Sequence, residues 1–167
     1  SVIVICFNFV SCFVVVILPE FDIEFNSSRA SSPLPYTFTV SGVAIGNFIF
    51  GSIVDMIGIA KSTIYASLLI SSNFLLCSLS DSLLIITSSH FFLGLGTAVG
   101  FGPLIADITH WFVKRRGIAV AIIASGNYRS GVVWSPLIGS MLSSFTWRDI
   151  YLRIAMVLPA SVLPFEV

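Results

Sequence analysis

One arginine lies in the middle of a long apolar stretch. Arg129 occurs in the segment SGNYRSG, about twelve residues into a predicted membrane span, so it lies roughly 18 Å deep, close to the centre of a bilayer. A guanidinium offers a planar pair of N–H donors that fits a carboxylate. We therefore predict that Arg129 anchors an organic anion. The alternative is a structural charge that pairs with an acid on a neighbouring helix or beyond this chain.

Three other polar side chains in apolar stretches are candidates for binding a substrate or a proton. Asn47 and Asn127 neighbour the predicted cavity and are candidates for substrate binding; alternatively they bridge helices, each hydrogen bond contributing about 1 kcal/mol. His90 lies some two turns in from the end of a span. A histidine titrates near physiological pH, so His90 is a candidate carrier of a coupled proton, and a hydrogen bond between helices is the alternative.

A short polar hinge separates two apolar stretches that are each long enough to cross a bilayer. Its sequence, GSIVDMIGIAK from Gly51 to Lys61, contains the carboxylate Asp55. Glycines let two backbones approach closely, and a charge at a helix end can be held in one state and released in another, so the hinge predicts a moving gate. Asp107, one turn before a predicted membrane boundary, is expected to pair with Lys61 or with the cluster Lys114–Arg116 and to stabilise the closed gate. A snorkelling carboxylate is the alternative.

The composition defines the elements that must hold these side chains. Of the 167 residues, 56% are hydrophobic and 10% are charged, and the mean hydropathy is +1.02, whereas a soluble domain has roughly a quarter charged residues. The sequence therefore predicts an all-α protein, a polytopic transmembrane helix bundle. About six spans are expected, at residues 2–18, 36–56, 63–79, 83–112, 117–144 and 150–167. The spacings Gly42-x-x-x-Gly46 and Gly96-x-x-x-Gly100 are expected to bring the second and fourth spans close to their neighbours.

The distribution of charge predicts the orientation of the spans. The connections at residues 51–61 and 113–117 carry Lys and Arg, while the first and third connections are acidic. The positive-inside rule therefore places 51–61 and 113–117 on the cytoplasmic side of a plasma (inner) membrane. Arg148 and Arg153 are exceptions, because they would face outward with only Asp149 to balance them in part.

Other classes of protein lack support in the sequence. The net charge is zero, which indicates no nucleic-acid partner, and the cysteines, Cys6, Cys12 and Cys77, lie in apolar runs rather than in a Cys/His cluster for a metal. There is no Gly-rich phosphate loop, so we expect neither a cofactor nor an enzyme activity. An intramembrane serine protease would need G-x-S-G, but Ile123 stands at the first position of the near match that ends at Gly126. A channel or a structural membrane subunit stays an alternative, since apolar helices alone fit it.

Three motifs resemble those of one family. The signature G-x-x-x-D-x-x-G-x-x-(R/K), found between the second and third helices of major facilitator superfamily transporters, is matched here by Gly51, Asp55, Gly58 and Lys61. The stretch WFVKRRGIAVAIIASG, which contains Arg115 and Arg116, is similar to the fourth connection of the oxalate/formate and monocarboxylate branch. The tripeptide Thr-Trp-Arg that ends at Arg148 is similar to the Gly-Trp-Arg at the end of the family's fifth helix.

This resemblance implies a twelve-helix secondary active transporter of which the chain is the N-terminal half, so the C-terminal half of the same protein is its expected partner. The chain begins and stops inside apolar runs, as a piece truncated at both ends would. Such halves consist of two three-helix repeats of opposite orientation, and rocker-like motion exposes a midplane site alternately on each side of the bilayer. A small organic anion such as a monocarboxylate is the implied substrate, carried by symport or antiport. The resemblance also places His90 where the fourth helix carries a residue tied to proton coupling. The implied gating motif comprises Gly51, Asp55, Gly58, Lys61, Asp107, Arg115 and Arg116.

Overall fold

A computed structural model describes residues 2–25, 33–100, 102–103, 105–106 and 116–162. Six long helices lie in this part of the chain: α1 Val2–Phe25, α2 Leu34–Ile57, α3 Ile59–Leu79, α4 Leu83–Thr97, α5 Arg116–Leu142 and α6 Trp147–Val162. A 3-10 turn, Ala98–Gly100, follows α4 directly. No strand occurs among the described residues, which confirms the all-α prediction.

Helix α1 continues beyond Leu18, where the first span was predicted to end. Pro19 lies inside the helix rather than after it. A proline removes one helix hydrogen bond, but neighbouring helices in a membrane bundle can offset this loss. Here Phe21 is buried and packs edge-to-face on Trp147 of α6, with ring centroids 5.1 Å apart. Tertiary packing therefore holds the last turns of α1.

Helix α4 changes geometry within the predicted fourth span, 83–112. After Thr97 the chain makes the 3-10 turn, and residues 102–103 and 105–106 are helical again. Pro103 has no N–H to donate to the carbonyl of Val99, so a regular α-helix cannot pass this point without losing that bond. The regular part of the fourth span thus ends about 21 Å from its first residue, at 1.5 Å per residue.

Helices α2 and α3 are separated by Gly58 alone. Its φ of 85° lies in the left-handed region, which a residue with a Cβ adopts at a cost of about 1 kcal/mol or more. Its N–H donates to the Val54 carbonyl at 2.9 Å, and its own carbonyl accepts from the Ser62 hydroxyl at 2.8 Å. The hinge is therefore a one-residue turn between continuous helices, with Gly51 inside α2 and Lys61 inside α3.

The packing of the helices is partly symmetric between the two halves of the chain. Helix α2 packs on α4, α1 packs on α5, and α3 packs on α6. Exchanging the first three helices with the last three converts the α2–α4 pair into the α5–α1 pair and leaves the α3–α6 pair unchanged, as in two three-helix units related by a pseudo-two-fold axis. The contact of α3 with α4 departs from this symmetry, because it is much more extensive than its counterpart between α6 and α1.

The contact between α2 and α4 is a close crossing of two backbones. A Cβ at Gly42 would meet the backbone oxygen of Phe91, and a Cβ at Gly94 would meet the backbone oxygen of Thr39. Gly46, one turn further along α2, faces α4 in the same way. The spacing Gly42-x-x-x-Gly46 thus brings α2 against α4, as its small residues predict.

Aromatic side chains fill the core between α1, α3 and α6. Phe13 of α1 lies edge-on to Phe74 of α3 and to Tyr151 of α6, with centroid separations of 5.4 and 4.8 Å. All three side chains are fully buried. Such pairs contribute about 0.5–1.5 kcal/mol each beyond their buried apolar area, so the cluster fixes α6 against the first and third helices.

The surface of the bundle is that of a membrane protein. In the described part of the chain, three helical stretches are long and apolar enough to cross a bilayer: Leu34–Ile57, Ile59–Leu79 and Leu83–Gly100. Large apolar side chains of α2 are exposed on the surface of the bundle, with Phe48 84% and Met56 83% exposed. In water such a surface would promote aggregation, whereas in a bilayer it meets lipid or another apolar surface.

Candidate functional site

The bundle has two chemically different ends. One end, which we call the acidic end, contains Glu24, Asp81 and Arg148. The opposite end, which we call the hinge end, contains Gly58 and Lys61. Polar residues of the described chain lie in four places: a cleft at the hinge end, the middle of α5, a buried contact between α4 and α6, and an ion-pair network at the acidic end.

A cleft of about 410 Å³ opens at the hinge end, between α2 and the helical residues that follow the 3-10 turn. Asn47, Gly51, Asp55 and Gly58 line one wall, and Gly102 lies on the other. The structure thus brings three residues of the predicted gating motif into one cavity with Asn47 of the predicted substrate set.

Asn47 lies at the part of the cleft nearest the middle of α2. Its amide nitrogen donates to the Val43 carbonyl at 3.0 Å, while its Oδ1 is buried and has no hydrogen-bond partner among the described residues. Gly102 faces this oxygen so closely that a Cβ there would collide with it. A buried acceptor without a donor costs about 1–3 kcal/mol, so a water or a substrate donor at this oxygen would stabilise the cleft.

Asp55 and Lys61 are exposed at the hinge end, and neither forms an ion pair with another described residue. Their predicted partners Asp107 and Arg115 lie outside the described residues. Arg116 is the first residue of α5, and its side chain is also outside the described part. The ion pairs of the gate therefore stay predictions.

Arg129 is the middle residue of α5, roughly 20 Å from either end of that helix. Its side chain is exposed and forms no ion pair with the described residues, whereas Gly131 of the same helix faces Cys12 of α1. Arg129 does not line the cleft that contains Asn47. Asn127 lies in α5 as well, but its side chain is outside the described part of the chain.

His90 is fully buried where α4 meets α1 and α6. Its Nδ1 lies 2.7 Å from the Ile86 carbonyl, and its Nε2 lies 3.1 Å from the Tyr151 hydroxyl. A carbonyl only accepts hydrogen bonds, so Nδ1 carries a hydrogen, and in the neutral ring Nε2 then accepts from the tyrosine. The imidazole links α4 to α6, as expected if its role is a hydrogen bond between helices. The role in proton coupling stays a prediction.

A Tyr151→Phe variant is expected to stay folded and to lose about 1 kcal/mol of stability. The substitution deletes only the hydroxyl that donates to His90, so a buried nitrogen is left without a donor while the ring contact with Phe13 remains. The measurement is the midpoint of thermal unfolding of the purified full-length protein in detergent. Tyr65→Phe is the control, because that side chain is exposed on α3. Equal midpoints for the two variants would contradict the hydrogen bond.

Arg148 joins three elements at the acidic end. Its guanidinium lies 2.6 Å from Glu24 at the end of α1 and 2.8 Å from Asp81 in the α3–α4 connection. The neighbouring Trp147 donates its indole N–H to Glu24, and its ring centroid lies 4.4 Å from the Arg148 Cζ. One carboxylate from α1 and one from the α3–α4 connection therefore balance this cation. The expectation that only Asp149 balances it is wrong.

The sequence did not identify Tyr151 as the partner of His90, or Glu24 as the partner of Arg148. Tyr151 is separated from His90 by 61 positions, and Glu24 from Arg148 by 124. No local pattern specifies which connections meet at one end of a bundle. The signal that the sequence does contain is a Trp-Arg pair in a chain whose first and third connections are acidic.

The described residues contain no group of three or more His, Cys, Asp or Glu side chains that could hold a metal ion. His90 and Cys77 are the buried members of these residue types, and each lies in an apolar core. The absence of a metal, a cofactor and an enzyme activity stays a prediction from the sequence.

The apolar helices, their packing and the polar groups among them define the chain as part of an integral membrane protein, a helix bundle. The chain belongs to the Major Facilitator Superfamily, whose sequence profile matches residues 1–165. The resemblance found in the motifs is thereby confirmed.

Relatives of the chain carry transporter names. The chain is 30% identical to the MFS-type transporter pynF of Aspergillus niger over 125 residues, which make up 71% of this chain and 29% of that relative. The chain is 35% identical to the MFS-type transporter pytF of Aspergillus terreus over 95 residues, which make up 56% of this chain and 32% of that relative. Monocarboxylate transporter 11 of Homo sapiens is 31% identical over 74 residues, 41% of this chain and 16% of that relative. The chain thus spans about a third or less of the length of these relatives.

Proposed function

We propose that this chain is the N-terminal half of a secondary active transporter that moves a small organic anion across a membrane by alternating access. Family membership and the names of the relatives support transport in general. The relative named monocarboxylate transporter 11 supports a monocarboxylate as the first substrate to test. The observation that carries the proposal is Arg129, a cation at the middle of α5 that has no carboxylate partner in the described part of the chain.

The position of Arg129 restricts what can neutralise it. A cation at mid-membrane is costly unless it faces an anion or a water-filled cavity. Helix α5 packs on α1 beside Gly131, while the arginine side chain itself is exposed on the bundle. We infer that the second half of the transporter covers this surface and encloses a wet cavity, in which a substrate carboxylate meets the guanidinium. Asn127, on the same helix, is proposed as a further substrate contact.

The cleft at the hinge end is proposed as part of the gate. Asp55 lines the cleft, and Lys61 lies just beyond Gly58 in α3. Asp107, Arg115 and Arg116 are proposed to pair with these two charges when this end of the transporter is closed and to separate from them when it opens. Exposed charges can exchange partners in this way because water stabilises them in either state.

Asn47 links the gate to the substrate in this proposal. Its unpaired Oδ1 lies at the part of the cleft nearest mid-membrane, where a substrate hydroxyl or a water molecule can donate to it. The amide nitrogen of Asn47 donates to the backbone of α2 itself, so this hydrogen bond does not bridge two helices.

The hinge end is proposed to face the cytoplasm of a plasma (inner) membrane. Lys61 lies at this end, α5 begins there at Arg116, and the positive-inside rule places the Lys and Arg residues of 51–61 and 113–117 on the cytoplasmic side. A coupled proton is proposed as one source of energy. His90 is its candidate carrier, although its burial and its two hydrogen bonds favour the role of linking α4 to α6.

Substitution of Arg129 in the full-length transporter is expected to abolish uptake of a radiolabelled monocarboxylate. Removing one member of a desolvated charge pair costs about 2–5 kcal/mol, so uptake at low substrate concentration should fall at least about 30-fold in Arg129→Ala. Arg129→Lys keeps the charge but loses the planar fork, so it is expected to be nearly as impaired.

The matched control for Arg129 is Val133→Ala, because Val133 is exposed one turn along the same helix. Labelling at the cell surface establishes that each variant inserts. Normal uptake by Arg129→Ala at an equal surface amount would overturn the anion anchor. Flux that neither saturates nor is accelerated by substrate on the opposite side would overturn the carrier and identify a channel.

A further inference from the structure

A second cavity, of about 210 Å³, lies on the side of the bundle where α1, α5 and α6 meet. Its walls are apolar: Phe9 comes from α1, Trp134 and Met141 from α5, and Val157 and Leu158 from α6. Val157 is 62% exposed, so the cavity is a groove that opens to the surface. In a bilayer such a groove meets the acyl chains of lipids or another apolar surface.

One cation lines this groove. Arg153 lies six residues after α6 begins at the acidic end, whereas Leu158 lies a further turn or more toward mid-membrane. On α5, Met141 lies at the acidic end and Trp134 lies seven residues further inward. The lining therefore combines one basic side chain with apolar residues that extend about 10 Å along α5, at 1.5 Å per residue.

Arg153 differs from Arg148, the other arginine of α6, in its partners. Arg148 is held by two carboxylates, whereas Arg153 forms no ion pair with the described residues. The Cζ of Arg153 lies 3.7 Å from the centroid of the Phe145 ring, and its side chain is exposed. Stacking on a ring uses one face of the guanidinium and leaves the N–H groups at its edge available to an anion.

We propose that this groove is a binding site for an anionic phospholipid of the surrounding bilayer, with the lipid phosphate at Arg153 and part of one acyl chain against Trp134 and Leu158. The apolar floor excludes a ligand that is polar throughout, and the unpaired cation favours a head group with net negative charge over a zwitterionic one. Arg153 lies about 9 Å from the start of α6, and its long side chain can reach the level of the head groups by snorkelling. The site is independent of the solute that the transporter carries.

The test is native mass spectrometry of the full-length transporter with phosphatidylglycerol and phosphatidylcholine that carry the same acyl chains. The wild type is expected to retain phosphatidylglycerol preferentially. Arg153→Gln should reduce that preference about fivefold, the ratio expected for one basic residue near an anionic lipid, and Arg153→Lys should retain most of it. Val157→Trp fills the groove and should reduce binding of both lipids.

Leu84→Trp is the control for Val157→Trp, because Leu84 is exposed on α4 outside the groove. A thermal unfolding scan identifies any variant that fails to fold. An unchanged lipid preference in Arg153→Gln would overturn the head-group contact, and equal lipid binding by the two Trp variants would overturn the acyl-chain contact. Lipid binding is measured without transport, so loss of the proposed site and loss of the proposed function are distinguishable.

Discussion

Gly94→Val is expected to prevent the helix bundle from assembling. A Cβ at Gly94 would meet the backbone oxygen of Thr39 and lie 3.0 Å from the backbone nitrogen of Val43. These are backbone atoms of α2, which cannot rotate away as the end of a flexible side chain would, so α2 and α4 would have to separate. Overpacking of a tight site costs about 1–3 kcal/mol, and separation of two helices that rely on small residues for contact in lipid costs more.

The effect of Gly94 substitution is measured as the amount of monodisperse full-length protein in detergent. We expect a graded loss, with Gly94→Ala reduced and Gly94→Val nearly absent. Gly139→Ala in α5 is the matched control, because a Cβ there has no neighbour within 4 Å among the described residues. Wild-type amounts of monodisperse Gly94→Val protein would show that α2 and α4 do not cross this closely.

Charge reversal at Arg148 is expected to have the second-largest effect on stability. Arg148→Glu would place a third carboxylate beside Glu24 and Asp81, in place of two charge-assisted hydrogen bonds. The existing pairs are partly exposed, so neutral Arg148→Ala is expected to cost about 1–2 kcal/mol and the reversal more. The end of α1, the α3–α4 connection and the start of α6 would then lose their common contact.

The readout for Arg148 is the midpoint of thermal unfolding of the full-length protein. Asp149→Asn is the control, because it changes the charge at the next position without altering either ion pair. The double variant Glu24→Arg/Arg148→Glu restores one pair in reverse and is expected to recover part of the loss. The described pairing is wrong if Asp149→Asn lowers the midpoint as much as Arg148→Glu does.

Gly94 and Arg148 both hold helices of this chain in a fixed arrangement, which the proposed transport cycle requires. Gly94 holds α2 to α4, while Arg148 holds α1, the α3–α4 connection and α6 together. Rocker-like motion requires each half of a transporter to move as a unit. Variants at either site are therefore expected to lose uptake in proportion to the loss of folded protein, whereas Arg129 variants lose uptake per folded molecule.

The second and third expected spans lie entirely within helices of the structure, because long apolar runs in a bilayer must form helices. The expected span 36–56 compares with α2 at Leu34–Ile57, and 63–79 compares with α3 at Ile59–Leu79. The first and fourth spans deviate at prolines. Helix α1 passes through Pro19 because Phe21 is packed in the core, and α4 changes to a 3-10 turn before Pro103. A proline shows where a helix is weakened, but only its neighbours decide whether the helix continues.

The sequence by itself determined that this is an all-α membrane protein of the major facilitator type, because apolar length, charge spacing and the Gly51–Lys61 signature are local properties. It also placed Arg129 well inside a helix, since position along a helix follows from counting residues. Only the tertiary structure decided that His90 meets Tyr151, that Arg148 meets Glu24, and which residues share a cleft with Asn47. These contacts depend on how six helices pack, and pairs up to 124 positions apart leave no local pattern from which to read them.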